Sequence, residues 1–130
     1  MAEHSNIARI RDGYAAFAKG DFTALNDLFA EDIVWHVGGR NQLSRDYHGR
    51  DEVYRLFGEL FTITDGTFHA DLNAVFADDE RGVALVTLTA SREGRSARTS
   101  DAHIFNLRDG VVTEFWDAST NQYAFDEVIG

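Results

Sequence analysis

The chain has 130 residues, a length that suits one domain, and 44% of them are hydrophobic, enough to build a core. It has no cysteine, which excludes a disulfide frame and a thiolate metal site. Its formal net charge of -10 repels phosphate backbones, which sets nucleic acid aside as a partner; solubility is the plain reason for the acidity. No stretch approaches the roughly 18 apolar residues that span a bilayer. The N-terminal run shows no cleavage signal. These features together fit a cytoplasmic protein without a membrane partner.

The first helix is expected over residues 6–19. Ile7, Ile10, Tyr14 and Phe17 recur at three- and four-residue steps and mark one buried stripe. Ser5 is its expected N-cap and Gly20 its stop. Asp21 can cap a second, short helix with Leu25, Leu28 and Phe29 facing inward. Residues 33–37 then read as a strand carrying Trp35 and His36. Alternation allows only one of these two to face a cavity. Residues 38–48 read as a polar loop, long enough to act as a lid or binding loop. A third helix follows over 50–61, with Val53, Leu56, Phe57, Leu60 and Phe61 in unbroken helical period.

From Thr67 the period becomes two. Phe68, Ala70, Leu72, Ala74 and Phe76 alternate with their neighbours, and Asp78-Asp79-Glu80 forms an acidic turn. Residues 82–91 are nearly apolar on both faces, as expected of a central strand covered on both sides. Arg92-Glu93-Gly94-Arg95 is the next turn. Residues 99–119 then form a hairpin about Arg108-Asp109-Gly110, since Asp-Gly between alternating runs is a strong hairpin signal. Alternation puts Asp101, His103 and Phe105 on one face of its first strand, and Thr113, Phe115 and Asp117 on one face of its second. A short tail closes the chain. The whole reads as an α+β domain with a pocket between helices and a curved sheet, a common place for a ligand.

Several stretches, in this order, resemble the NTF2-like superfamily, and within it the SnoaL-like polyketide cyclases and ketosteroid-isomerase-like proteins. They are Tyr14-Ala-Ala-Phe17 with Gly20-Asp21, Trp35-His36-Val37-Gly38, Tyr47-His48-Gly49-Arg50, Asp101-Ala-His103, and Asp109-Gly110 with Phe115-Trp116-Asp117. The resemblance covers nearly the whole chain, as one SnoaL-like domain over 1–130. It implies a cone: three N-terminal helices packed on a strongly curved, mainly antiparallel sheet that encloses a pocket. It also implies a homodimer through the outer face of the sheet. Fold alone does not choose a function in this superfamily.

The residues give candidates. Asp117 follows Trp116 on the last strand, where the resemblance places an acid/base aspartate; a carboxyl buried among aromatics resists ionisation and can trade protons near neutral pH. A structural aspartate bonded to a backbone amide is the alternative. His103 lies across the hairpin turn, where the related cyclases carry a histidine that orients the carboxyl or stabilises an enolate. A satisfied core histidine is the alternative. Asp101 is a third candidate, because a ketosteroid isomerase keeps an aspartic acid on this strand protonated as an oxyanion donor; a structural hydrogen bond is the plainer role. Tyr14, Phe17, Trp35, His36, Phe57, Phe61, Phe105 and Phe115 are candidates for the substrate-binding wall, with Trp35 as a flat surface for an aromatic or polycyclic ligand. The five histidines are scattered without metal spacing, and there is no phosphate loop, so no metal and no cofactor are expected.

Two departures narrow the reading. The isomerases' first-strand aspartate has Val37 in its place, with His36 beside it, and residues 83–90 lack the charged pair of the epoxide hydrolases of this fold. The expected function is thus a cofactor-independent cyclase or isomerase moving a proton on a small apolar carbonyl compound. The alternatives are a non-catalytic ligand-binding protein, less favourably an epoxide hydrolase, and a scaffold whose cavity is filled by its own side chains. A cavity well under about 300 Å3 would favour the scaffold.

Overall fold

The computed structural model describes residues 3–130. Met1 and Ala2, with which the reading of the N-terminal run begins, lie outside the described residues. Helix α1, Ser5–Ala18, buries Ile10 of the predicted stripe and packs Tyr14 and Phe17 against the core, while Ile7 stays half-buried outside it. It begins one residue early, because His4 rather than Ser5 is the cap: His4 has extended backbone and its Nδ1 accepts from the Asn6 N–H at 3.1 Å. The helix ends on Gly20, whose φ of 71° suits glycine. Gly20 donates to the Phe17 carbonyl and Asp21 to the Ala16 carbonyl, the paired bonds of a Schellman stop. Asp21 then caps a short 3-10 helix, Phe22–Asp27, by accepting from Ala24.

Strand β1 spans Phe29–Val37, so Phe29 opens a strand instead of closing a helix. Strand β2, Arg45–His48, is an edge strand inside the stretch expected to be loop. Its four residues bury only Tyr47, too little pattern to show in the sequence. Helix α2, Arg50–Ile63, buries Val53, Leu56 and Phe57. Asp51 and Glu52 in its first turn suit the positive helix end. The sheet continues with β3 His69–Ala77, β4 Arg81–Arg92, β5 Arg95–Arg108 and β6 Val111–Ser119. The tail is a third helix, α3, Gln122–Ile129, capped by Asn121 and burying Val128 and Ile129.

The six strands run in the order β2-β1-β6-β5-β4-β3. All neighbours are antiparallel except β1 and β6, which are parallel. The core lies between the inner face of this curved sheet and the helices. The turns Glu93-Gly94 and Asp109-Gly110 have positive φ at both residues, as tight two-residue hairpins require. No helix among the described residues is long and apolar enough to cross a membrane.

Two bulges overturn simple alternation. In β3 the register slips between Leu72 and Ala74, so Val75 and Ala77 turn inward and Phe76 is left 60% exposed. In β6 a slip opposite Asn106 and Leu107 puts Val112, not Thr113, on the buried face with Phe115. Strand β4 is covered on one face only: Ala84, Val86 and Leu88 are buried, whereas Leu85 is 42% exposed on the other side.

Candidate functional site

The β5–β6 ladder pairs His103 with Asp117, Phe105 with Phe115 and Asp101 with Ser119, all on the inner face. That register follows from the tight Asp109-Gly110 turn and the β6 bulge together. A cavity of about 120 Å3 lies against this face. Its wall includes Tyr14, Phe17, Trp35, Phe57, Phe105, Phe115, His103 and Asp117. Almost everything else lining it is apolar. It is close to the size of an engineered cavity that holds one benzene ring, ~150 Å3. Of the aromatic or polycyclic ligands expected for a flat Trp35, a one-ring aromatic suits this volume better. The volume also falls below the roughly 300 Å3 at which common ligand pockets begin, which gives weight to the scaffold reading.

Asp117 Oδ1 lies 3.8 Å from His103 Nε2. This is too long for a hydrogen bond, and Oδ1 is the one buried side-chain polar atom without a partner among the described residues. Nor is the contact an ion pair. Burial first, then the hydrogen bond and charge of Asp101, hold the Asp117 carboxyl far above the usual carboxylate range. Burial drives the His103 pKa down to about 4, against a smaller upward pull from Asp101. At neutral pH both groups are uncharged. Tyr14 Oη meets His103 Nδ1 at 2.5 Å, with the two rings nearly parallel. Burial, then the Asp117 carboxyl, raises the Tyr14 pKa well above its ordinary value, so the phenol keeps its proton.

Asp101 is buried but does not line the cavity. Its Oδ1 accepts from Thr99 Oγ1 at 2.7 Å and from Ser119 Oγ at 3.1 Å. It is off the cavity wall and holds two hydroxyls, the arrangement expected of the plainer structural role. Asp101, His103 and Asp117 bring three potential metal-ligand atoms within 4.8 Å of one another. Asp101 Oδ1 holds two hydroxyls and His103 Nδ1 meets Tyr14, so the atoms of the trio left free toward the cavity are His103 Nε2 and Asp117 Oδ1.

Trp35 faces inward, stacked on Phe115 at 3.6 Å between ring centroids. His36 borders the cavity, but its ring stacks on Trp116 and both nitrogens are engaged by Asp46 and Glu114. It therefore offers no polar contact to a ligand, as β-alternation after Trp35 requires. Phe61 is also misplaced: it packs on Phe17, Phe22 and Phe68 behind the wall, while Leu56 and Leu60 take the lining positions.

Three features of the site escaped sequence reading. The Tyr14–His103 bond joins residues 89 apart, and no local pattern encodes it. Gln122 and Phe125 line the cavity from α3, where the sequence shows only a short tail. Its capping Asn121 was the available signal. The loop after β1 is tied to α3: Asp126 accepts from the Arg40 N–H and from the side chains of Asn41 and Gln122, and Gln42 donates to the carbonyls of Ile129 and Gly130. Val37, Gly38 and Leu43 of this region reach the cavity.

The profile of the SnoaL-like domain matches residues 10–115. The uncharacterized protein Rv0034 of Mycobacterium tuberculosis is 30% identical over 114 residues, covering 87% of each chain. Among solved structures, Bal32a from a soil-derived mobile gene cassette superposes with a TM-score of 0.91 at 34% identity, covering 96% of each chain. TerC, crystallised with polyporic acid, superposes with a TM-score of 0.82 at 23% identity over 95% of this chain and 97% of its own, a likeness of fold. The matched profile and these likenesses place the chain in the SnoaL-like family, with the NTF2-like fold.

Proposed function

We propose that the cavity binds a small apolar carbonyl compound and that Asp117 moves a proton on the carbon beside its carbonyl, without a cofactor. The observation that carries this reading is Asp117 Oδ1, buried without a partner on an apolar wall 3.8 Å from His103 Nε2. A neutral carboxyl near a neutral imidazole can give its proton to a carbonyl oxygen, and the carboxylate this leaves can take one from the adjacent carbon, which restores the acid. Trp35, Phe57 and Phe115 would hold a single ring. The volume limits the ligand to about that size.

A second reading, a binding protein without turnover, is favoured by the small and almost wholly apolar wall. Deuterium exchange beside the carbonyl of one-ring ketones, followed by NMR, separates the two. Under the enzymatic reading Asp117→Asn lowers exchange by about 100-fold or more while affinity is kept. If the parent binds these ketones and exchanges none, the enzymatic reading fails and the binding protein stands.

A further inference from the structure

We propose that the cavity receives its ligand through a hydroxyl group, and that Tyr14 sets the direction of the hydrogen-bond chain that meets it. The proposal rests on the reading above that this cavity is the ligand site.

The chain begins at Tyr14. Its hydroxyl lies 2.5 Å from His103 Nδ1 and has no other hydrogen-bond partner among the described residues. A buried phenol proton needs an acceptor. Nδ1 supplies it, and the imidazole proton is then on Nε2. Nε2–H points toward Asp117 Oδ1 across 3.8 Å. The chain ends at Asp101, whose Oδ1 accepts from Thr99 and Ser119. The Asp101 and Asp117 carboxyls are hydrogen-bonded to each other, which requires one proton between them. With that proton between the two carboxyls, Asp117 Oδ1 is a bare acceptor. The site therefore presents one unpaired donor and one unpaired acceptor, side by side at the cavity wall.

A carbonyl oxygen can take the bond from Nε2–H but leaves Oδ1 unpaired, at about 1–3 kcal/mol for a buried acceptor. An ammonium satisfies Oδ1 but confronts Nε2–H with another donor. Of these three ligand groups only a hydroxyl accepts from His103 and donates to Asp117, and so completes the chain. A bridging water meets the same two demands, and an alcohol, phenol or enol displaces it with the same pair of bonds. For a compound that exchanges a proton beside its carbonyl, the enol is the form this site holds best. Tyr14 touches no ligand in this scheme. It is a positioning residue that acts through the His103 tautomer.

Two measurements test this. The first needs no ligand: 15N–1H correlation of the His103 ring at pH 7 is expected to show the proton on Nε2 and a hydrogen-bonded, unprotonated Nδ1. A proton on Nδ1 would overturn the proposal and leave the proposed function standing. The second is calorimetric titration with phenol, toluene and benzaldehyde, three one-ring probes. Phenol is expected to bind at least about 10-fold tighter than either of the others. In Tyr14→Phe that preference should shrink toward parity, with loss of the Nδ1 signature. Equal affinity of the parent for phenol and benzaldehyde would overturn the hydroxyl assignment alone. Failure of all three probes to bind would overturn the ligand reading itself, and this inference with it.

Discussion

His103 and His36 each stand near two carboxyl groups, yet their pKa values are pushed in opposite directions. His103 is buried on the inner face, held through Nδ1 by a phenol and 3.8 Å from a neutral carboxyl. His36 lies at the outer surface with both ring nitrogens 2.6 Å from carboxylate oxygens, Asp46 on one side and Glu114 on the other. Two carboxylate acceptors favour a proton on each nitrogen, which is the imidazolium form. Partial desolvation lowers its pKa, but the hydrogen bonds with Glu114 and Asp46 outweigh that and leave it raised. Residue type thus says little about charge. Burial and the number of committed acceptors decide it. The outer cluster clamps β2 and β6 to β1, whereas the inner one keeps its groups neutral and one oxygen free.

Titration should separate the two histidines most clearly. For His103 the folded pKa lies below the unfolded value, so the unfolded chain binds the extra proton. Stability conferred by the neutral ring is therefore lost as pH falls from about 6.5 toward about 4. The loss should reach about 3 kcal/mol at the acid end. His103→Gln should remove that part of the acid dependence in urea unfolding at pH 7 and pH 4.5. An unchanged acid slope would show that His103 is not held neutral by burial.

Asp117 gives the next effect, with the opposite pH sense. Its folded pKa is raised, so the folded state keeps a proton that the unfolded chain releases. Stability should fall as pH rises above the unfolded carboxylate value of about 4, until the folded group also titrates. Asp117→Asn should therefore stabilise the protein at pH 8 by about 1 kcal/mol or more, roughly 4 °C in Tm, a gain that holds on either reading of the cavity. A destabilised variant with an unchanged pH profile would make Asp117 a structural residue.

The smallest effect belongs to His36. Its folded pKa is raised, so its contribution is fully present below about pH 6.5 and is lost as pH rises through the folded value. His36→Gln should lower stability at pH 6 by no more than about 1 kcal/mol, with added salt weakening the difference, as for a surface pair. A larger loss that salt does not touch would mean the clamp acts by packing against Trp116.

Much of the fold was legible along the chain. The stripe of α1, the Gly20 stop, the period of α2 and the two glycine turns are local signals, and each acts within one or two turns of backbone. Family resemblance added the cone. The bulges in β3 and β6 were not legible, because one extra residue leaves the composition of a strand unchanged while it reverses which side chains face inward. Phe76 and Thr113 went to the wrong face for that reason. Strand β2 and helix α3 were missed because their stability comes from docking, through Tyr47 for one and Val128 and Ile129 for the other.

The hairpin around Asp109-Gly110 shows where the division falls. By itself the sequence determined that Asp101, His103 and Phe105 share a face, since alternation along one unbroken strand is a local property. It also determined the tight turn that brings the next strand back. Only the tertiary structure decided that Asp117 stands opposite His103, because the register across the turn depends on the β6 bulge. It also decided that Tyr14 closes on His103 and that Asp101 sits behind Asp117. The protonation state of the site follows from those non-local choices, because it depends on which groups are buried together.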